Sequence, residues 1–477
     1  MSTQPDARLH QDATSTPGAA TSALAAQAWA ALQAPAHHLG ALDHPAHGPG
    51  FTSTLPVDTL AMDSVAVACL AVNSAAAARA GHHELEPVRL DPRRVATSFA
   101  SDRHFRLDGE PIRAWDELSG FHRAADGWVR VHANYPHHAA RLRGILDLAP
   151  GADADQVRAA LAAVPAAELE DRAAAAGAVL VAVRSQDRWS AHPQAHATAA
   201  APLISYDRIA DASPRAWSPR SGNGGPLDGI RVLDLTRVIA GPVACRMLAH
   251  AGATVLRVDS PRLPEWEWVH FDTGAGKRST RLDLDTPHGR ERFRSLLGEA
   301  DVLVTGYRPG ALEGLGLSDE QLAAAHPGLV IGRIAAWNED GPWGTRRGFD
   351  SIVQAATGIA VYEGSAERPG ALPVQALDHS AGYLLAAGLV RALVDQRTEG
   401  GTYRVKVTLD RMATELVRRR GAPAWPAPPA ASAPSVVCGR IGGHDVQCAA
   451  PAASFSGSGE RWPRLAVPWG SDSPTWE

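Results

Sequence analysis

The stretch from Pro226 to Asp259 constrains the fold of this chain more than any other part of the sequence. It begins with an almost continuous apolar run, Ile230 to Leu235, which is typical of a strand covered on both faces of a sheet. Apolar residues four positions apart then predict a helix from about Pro242 to Ala251, and Gly252 is placed to end it. A strand resumes from Val255 to Val258. This order predicts a right-handed βαβ crossover in a parallel sheet, which could also serve as scaffold alone.

The composition excludes several classes of protein. A chain of 477 residues is long enough for roughly three units of ordinary domain size. Its 45% hydrophobic and 20% charged residues are typical of a globular protein. A net charge of -5 gives no general attraction to nucleic acid or anionic lipid, and no run approaches the roughly 20 apolar residues of a membrane helix. We therefore expect neither nucleic acid nor a membrane as partner.

The four cysteines indicate a reducing compartment. They form neither a CxxC pair nor a dense framework, so buried, reduced thiols are expected at Cys69, Cys245, Cys438 and Cys448. This expectation, together with a start that lacks a signal sequence, predicts a cytoplasmic protein. The histidine cluster formed by His37, His38, His44 and His47 matches no standard metal site, so no metal is predicted.

Changes in composition divide the chain into six parts. A Pro-, Ser- and Gly-rich stretch without periodicity marks the central boundary. The parts are a flexible tail (1–22), an N-terminal module (23–212), a linker (213–225), a main α/β domain (226–420), a Pro/Ala linker (421–434) and a C-terminal tail segment (435–477). Within them, Asp108-Gly109 predicts a hairpin turn, and Ser318 with Gln321 predicts a capping box.

Part of the sequence is duplicated. Residues 55–97 align without a gap on residues 372–414, although chance similarity of two alanine-rich helices is an alternative. The recurring residues are Leu55, Pro56, Val57, Leu60, Val88, Arg94, Ala96 and Thr97, which match Leu372, Pro373, Val374, Leu377, Val405, Arg411, Ala413 and Thr414. One difference is chemical, because Asp378 in the later copy falls opposite Ala61 in the earlier one.

The turn RVIAGPVA after the first strand is not a GxGxxG fingerprint, so a nicotinamide cofactor is not predicted. No complete phosphate loop is present either. The segment GAGKRS does place Lys277 and Arg278 beside flexible glycines, where they could present positive charge to a phosphate or form a solvated loop edge.

Between Pro226 and Thr414, many short motifs occur in an order that resembles class III coenzyme A transferases, the CaiB/BaiF family. They include GIRVLDLTRVIAGP, GATVLRVD, GKRSTRLDLDTPHGRE, ADVLVTGYRPGALEGLGL, DGPWGTRRGFDSIVQAATG and LDHSAGYLLAAG. Residues 127–205 more faintly resemble the later part of a family unit, here placed ahead of the earlier part. The resemblance implies an α/β fold with a doubly wound, mostly parallel, Rossmann-like sheet and a second, smaller α/β domain.

The resemblance also implies covalent chemistry at Asp378. A carboxylate there would attack an acyl thioester to form a mixed anhydride, from which coenzyme A and an acceptor acid exchange. Water must be excluded from the anhydride, and the start of the helix with nearby amides should stabilise the oxyanion. From the residues alone, the position of Asp378 at the start of a predicted helix indicates the N-cap residue of that helix. The implied substrates are acyl-CoA and carboxylic acids, with no tightly bound cofactor, and the implied assembly is a homodimer whose partner the duplicate could in part replace.

The family's coenzyme A contacts fall on residues in several loops. They are Arg237, Val238, Ile239, Ala240, Arg262, Lys277, Arg278, Tyr307, Arg308 and Trp337. Three departures stand out. Pro261 takes the place of a basic residue beside Arg262, Ala335-Ala336-Trp337 replaces a glycine-containing segment, and no run of consecutive glycines resembles a lid.

Two alternatives follow. Racemases of the same family pair the aspartate with a histidine in a GHD motif. Here the triplet is Gly348-Phe349-Asp350, and His379 is the nearby substitute. The second alternative is a noncatalytic acyl-CoA-binding protein, which the rearranged order and the missing lid favour.

Overall fold

The computed structural model describes residues 22–217, 224–429 and 433–476. Nearly all of the predicted flexible tail and the central parts of both predicted linkers lie outside the described residues.

The strands, numbered in chain order, are β1 (Leu42–Asp43), β2 (Val88–Arg89), β3 (Arg106–Leu107), β4 (Glu110–Pro111), β5 (Gly120–Ala124), β6 (Gly127–Val131), β7 (Leu180–Ala182), β8 (Ser205–Ala210), β9 (Arg231–Leu235), β10 (Thr254–Asp259), β11 (Arg278–Arg281), β12 (Val302–Thr305), β13 (Val330–Ala335), β14 (Thr402–Thr408), β15 (Val436–Ile441) and β16 (His444–Ala449). The helices are α1 (Ala23–Ala31), α2 (Val57–Ala80), α3 (Pro92–Phe99), α4 (Ser101–His104), α5 (Pro136–Ile145), α6 (Ala154–Ala162), α7 (Ala166–Ala176), α8 (Gln186–Ser190), α9 (Pro193–Ala200), α10 (Ala240–His250), α11 (Glu267–Thr273), α12 (Pro287–Gly298), α13 (Asp319–Ala325), α14 (Asp350–Ala356), α15 (Ile359–Tyr362), α16 (Ala376–Thr398) and α17 (Leu409–Arg418), with short 3-10 turns at Ala36–Ala41 and Glu313–Leu315.

The main sheet has the order β11-β10-β9-β12-β13-β14-β8. Its first six strands are parallel, and β8 pairs antiparallel with β14 at one edge. Counted from β9, the parallel strands run 3-2-1-4-5-6, the order of the doubly wound dinucleotide-binding fold. The predicted fold class is confirmed. The strand order reverses between β9 and β12, and a crevice at the carboxyl ends of strands at such a point is the usual ligand site.

The opening βαβ unit forms as predicted, although α10 begins two residues earlier than expected, at Ala240. Gly252 follows the helix with φ of 102°, as its predicted role requires. Just before α10, Val238 has φ of 68°, a left-handed conformation that is strained for a β-branched residue. The turn after the first strand of the sheet is therefore held in an unusual shape.

The two segments that the sequence analysis aligned, residues 55–97 and 372–414, have the same succession of elements. The earlier copy forms α2, β2 and α3, and the later copy forms α16, β14 and α17. Asp91 and Thr408, which align, are the N-cap residues of α3 and α17. The two long helices pack against each other in the core. By length and composition α2 could cross a membrane, but it is almost entirely buried within the protein, as a core helix is.

The second α/β unit consists of the antiparallel sheet β5-β6-β7 with α5, α6 and α7. The predicted hairpin at Asp108-Gly109 is confirmed, and β3 and β4 continue into a four-stranded sheet with β15 and β16 from the C-terminal segment. The capping box at Ser318 and Gln321 is also confirmed. The N-terminal module, the main domain and the C-terminal segment therefore share sheets and core.

Candidate active site

Asp378 lies in the first turn of α16, and its residue is only 7% exposed. It is not the N-cap, which is Gln375. A second carboxylate caps the helix instead, because Asp350 of α14 accepts hydrogen bonds from the backbone N–H groups of Leu377 at 2.9 Å and Asp378 at 3.0 Å. Asp350 also accepts a hydrogen bond from the Gln354 amide. Contrary to the sequence expectation, these two helix amides are not free to stabilise an oxyanion.

The two carboxylates differ in their surroundings. Within the described residues, no group donates a hydrogen bond to the carboxylate of Asp378. Burial raises the pKa of Asp378 well above its usual range, and the neighbouring charge of Asp350 raises it further. Burial also raises the pKa of Asp350, but its three hydrogen bonds oppose that rise. A proton held by the pair therefore resides preferentially on Asp378.

Asp378 lies where two cavities meet. The outer cavity has a volume of about 350 Å³ and opens at the carboxyl ends of β9, β12 and β13. The inner chamber has a volume of about 70 Å³ and lies on the side of Trp115, Trp268 and Asp272. The residues that line both are Tyr135, Val238, Ile239, Phe349 and Asp378. The outer cavity occupies the point where the strand order reverses, which is where this fold binds ligands.

A third cavity of about 180 Å³ adjoins the outer one and shares Arg308 and Arg347 with it. Among the described residues, neither of these arginines has a carboxylate partner, and the Nε of Arg347 is buried without a hydrogen bond. Burial and the nearby charges of Arg308 and Arg141 lower the pKa of Arg347. Arg141, on α5, donates to the carbonyl of Gly177, a residue that lines the third cavity. Uncompensated guanidinium groups at a cavity wall favour a multiply charged anion there.

The structure brings some of the predicted coenzyme A contacts to the outer cavity and leaves others away from it. Those that line it are Arg237, Val238, Ile239, Ala240, Tyr307 and Arg308. The guanidinium of Arg237 is already engaged by Glu265 at 3.4 Å and by the carbonyl of Pro264 at 3.0 Å.

Four of the predicted contacts lie outside the outer cavity. Lys277 is buried, with its Nζ 2.8 Å from both the Asp234 carboxylate and the Pro242 carbonyl. Arg278 pairs with Asp472, and Arg262 pairs with Asp283 at the surface. Trp337 lines the third cavity and donates its indole N–H to the Arg347 carbonyl. Intramolecular carboxylates and carbonyls thus occupy the polar groups that the sequence assigned to the ligand.

Sequence reasoning missed the residues that the N-terminal module contributes. Tyr135, His137 and His138 line the outer cavity. The hydroxyl of Tyr135 donates to Glu265 at 2.6 Å, and Glu265 also accepts from the N–H of Val238 at 3.2 Å. This contact ties the module to the strained turn. No sequence signal pointed to Tyr135, whereas Arg347 could have been found from its place beside the Gly-Phe-Asp triplet.

The described residues contain no group of three or more His, Cys, Asp or Glu side chains arranged to hold a metal. Cys438 is exposed, contrary to the expectation of buried thiols, while the other three cysteines are buried and free.

Residues 227–434, somewhat less than half of the chain, match the model of CoA-transferase family III. The match contains β9 to β14 and Asp378. The six parallel strands lie within it, whereas the edge strand β8 and the cavity residue Tyr135 lie outside it.

Several curated relatives match the same part of the chain. A probable fatty acyl-CoA transferase of Mycobacterium tuberculosis is 32% identical over 42% of this chain and 54% of its own length. An acetyl-coenzyme A transferase of Hypoxylon pulicicidum is 34% identical over 45% of this chain and 39% of its own. A formyl-CoA:oxalate CoA-transferase of Escherichia coli is 32% identical over 40% of this chain and 50% of its own. The chain thus spans about half the length of these relatives.

Solved structures cover a similar share. A crystal structure of the M. tuberculosis protein is 32% identical with a TM-score of 0.39, covering 41% of this chain and 57% of its own. A CaiB/BaiF family protein from Brucella suis is 26% identical with a TM-score of 0.38, covering 46% of this chain and 65% of its own.

Proposed function

We propose that this chain is an acyl-CoA transferase that moves coenzyme A between carboxylic acids through an aspartyl anhydride at Asp378. The observation that carries the proposal is the buried, unpartnered carboxylate at the junction of two cavities. The match of residues 227–434 to CoA-transferase family III, and the similarity of this part of the chain to proteins named as acyl-CoA and CoA-transferases, support the same assignment.

The reaction consists of acyl exchanges at three carbonyl carbons, those of the donor, of Asp378 and of the acceptor, and involves no oxidation or reduction. The ionised carboxylate of Asp378 attacks the thioester carbonyl, the C–S bond breaks, and the coenzyme A thiolate leaves behind an acyl-aspartyl anhydride. The thiolate then attacks the aspartyl carbonyl, which releases the donor acid and leaves an aspartyl thioester. The acceptor carboxylate attacks this thioester and expels the thiolate again. Attack of the thiolate on the acceptor acyl carbon completes the new acyl-CoA and regenerates Asp378.

The surroundings of Asp378 suit this chemistry. A residue that is 7% exposed is shielded from water, which would hydrolyse an anhydride and waste the thioester energy. Coenzyme A would lie with its sulfur at Asp378 and its phosphates toward Arg347, Arg308 and Arg141, since these guanidinium groups lack other anions among the described residues. The binding energy of the nucleotide end can then position the thioester for attack.

The racemase alternative receives little support from the site. The ring of Phe349 stacks on His132 of the N-terminal module, with centroids 3.7 Å apart, so an imidazole does reach the position of the missing histidine. Burial lowers the pKa of both His132 and His379 to about 3. Imidazoles with such a low pKa are poor bases at neutral pH, where an efficient proton shuttle has a pKa near the operating pH. Deuterium exchange at the α carbon of a 2-methylacyl-CoA would nevertheless overturn this conclusion.

Covalent trapping tests the proposed function. The full chain is incubated with a panel of acyl-CoA donors and then with hydroxylamine, and the peptides are mapped by mass spectrometry. We expect a hydroxamate at Asp378 and none in Asp378→Asn. The matched control is Asp63→Asn, which removes a buried carboxyl group from the duplicate helix α2 and should leave labelling intact. Absence of any modification at Asp378 with every donor would support the noncatalytic alternative.

Coenzyme A affinity of the full chain tests the proposed position of the phosphate groups. We expect Arg347→Gln to weaken coenzyme A binding by about tenfold or more, because one charge-assisted contact to phosphate is worth roughly 1.5–3 kcal/mol. Arg158→Gln, which removes an exposed arginine paired with Asp155, should leave the Kd unchanged. Equal affinities of the two variants would contradict the orientation given above.

A further inference from the structure

The inner chamber is lined by an unusual number of polar groups without partners. Within the described residues, five buried side-chain atoms that lack a hydrogen bond belong to residues lining it. They are Trp268 Nε1, Ser351 Oγ, Asp272 Oδ1, His132 Nδ1 and His379 Nδ1. A buried polar group without a partner costs about 1–3 kcal/mol, and such groups are few in folded proteins. Their concentration around one cavity indicates that a polar ligand completes them.

The volume of the chamber limits what can enter. At about 70 Å³ it is much smaller than the outer cavity of about 350 Å³, so it has room for a short group only. Indole rings of Trp115, Trp266 and Trp268 contribute to its walls. A long alkyl chain cannot be accommodated without moving them.

The charges around the chamber limit the ligand further. Its lining contains Asp102, Asp272, Asp350 and Asp378 but neither lysine nor arginine. Burial raises the pKa of Asp102 and of Asp272, which favours the protonated form of each carboxyl group. The imidazoles of His132 and His379 stay neutral because burial lowers their pKa to about 3. A second carboxylate on the substrate would find no lysine or arginine among the lining residues with which to pair.

We propose that the inner chamber receives the acyl group and selects a short acyl group that carries an uncharged hydroxyl substituent. This inference rests on the proposed transferase function. It assigns the substrate class as small hydroxyacyl-CoA thioesters, with long-chain acyl and dicarboxylyl thioesters rejected.

An isosteric pair of donors tests the inference. Lactyl-CoA and isobutyryl-CoA have the same shape and differ only in a hydroxyl against a methyl group. We expect the kcat/KM for labelling of Asp378 to be at least about tenfold higher with lactyl-CoA, because the polar groups of the chamber stay unpaired around the methyl group. Succinyl-CoA and palmitoyl-CoA should be slower than lactyl-CoA by a similar factor or more.

Variants identify the groups responsible. Trp268→Phe removes the unpartnered indole N–H, and Ser351→Ala removes the unpartnered hydroxyl. Each should lower the lactyl-to-isobutyryl ratio, whereas a loss of structure alone would slow both donors equally. Trp469→Phe is the matched control, because its indole N–H is also buried without a partner but lies against Arg281, outside the chamber. We expect Trp469→Phe to leave the lactyl-to-isobutyryl ratio unchanged.

Three outcomes decide between the claims. Labelling of Asp378 by isobutyryl-CoA or palmitoyl-CoA as fast as by lactyl-CoA overturns the hydroxyacyl inference and leaves the transferase function standing. If the lactyl-to-isobutyryl ratio is unchanged in both Trp268→Phe and Ser351→Ala, the indole N–H and the hydroxyl do not recognise the substrate hydroxyl, and their proposed role is overturned. Absence of labelling with every donor overturns the proposed function and the inference together.

Discussion

At the scale of single residues, the pair Asp350 and Asp378 links helix capping to the state of the nucleophile. Asp350 accepts the first amides of α16 and thereby holds the backbone of Asp378 in place. The same negative charge raises the pKa of Asp378. The cap therefore positions the nucleophile and at the same time favours its protonated form.

The variant Asp350→Asn separates these two effects. Only ionised Asp378 attacks a thioester, so the single-turnover labelling rate rises with pH as Asp378 loses its proton, with a midpoint above the ordinary carboxyl pKa. Removing the charge of Asp350 lowers the pKa of Asp378, and we expect the acidic limb of the pH–rate profile to move to lower pH. Asp63→Asn should not move it. A limb that stays in place, or moves to higher pH, would show that Asp350 does not control the proton of Asp378.

The sequence predicted some residues of the site correctly and missed others. Asp378 could be found because a local motif surrounds it, and six of the predicted coenzyme A contacts do line the outer cavity. The sequence could not show that the basic residues Lys277, Arg278 and Arg262 are already paired within the protein. Their carboxylate partners, Asp234, Asp472 and Asp283, are distant in sequence. Tyr135 and Arg141 reach the site only through the packing of the N-terminal module.

At the scale of elements, the buried pair of Lys277 and Asp234 holds the turn between β9 and α10. The ammonium group connects the end of β9 to the first turn of α10, because it donates to both the Asp234 carboxylate and the Pro242 carbonyl. Asp234 in turn accepts the N–H of Thr236 at 2.9 Å. The turn that lines the cavity is thus supported from beneath by one lysine.

We expect Lys277→Met to lower the free energy of unfolding by about 3–5 kcal/mol, because it leaves a buried carboxylate without its counter-charge. Urea unfolding followed by circular dichroism measures the loss. The double variant Lys277→Met/Asp234→Asn should recover part of it, since the charge is then removed on both sides. A variant that keeps its stability but loses coenzyme A affinity would instead support the phosphate contact expected from the sequence.

Local patterns predicted elements well where neighbours in sequence decide them. The βαβ unit, the hairpin turn at Asp108-Gly109 and the capping box at Ser318 all depend on residues a few positions apart. The pairing of β3 with β16 and of β8 with β14 depends on segments far apart in the chain. No periodicity within one segment encodes such partners.

At the scale of the whole molecule, the parts that the sequence assigned to different domains pack against one another within the described residues. One hydrophobic core contains residues of α1 and α2 together with α10, α16 and β14. The homodimer stays a prediction, which light scattering would test by giving the mass of one or two chains.

Because the core is shared, we expect the N-terminal module and the main domain to unfold together. Differential scanning calorimetry should give a single cooperative transition, and the calorimetric and van't Hoff enthalpies should agree. Asp378→Asn should raise the Tm at neutral pH, since a carboxyl group whose pKa is raised on folding costs stability once the pH exceeds its unfolded pKa. Two separated transitions would show that the parts fold as independent domains.

The pairing of α2 with α16 has a consequence for biosynthesis. Among the described helices, α2 alone is long and apolar enough to cross a membrane, and it leaves the ribosome early, whereas the helix α16 that packs against it is translated more than 300 positions later. At about 5–20 residues per second, the wait is roughly 15–60 s. During that interval α2 lacks α16, against which it packs most extensively in the folded protein, and it is long and apolar enough to resemble a membrane-spanning segment. Production of this protein should therefore depend more on chaperone capacity than its stability once folded would suggest.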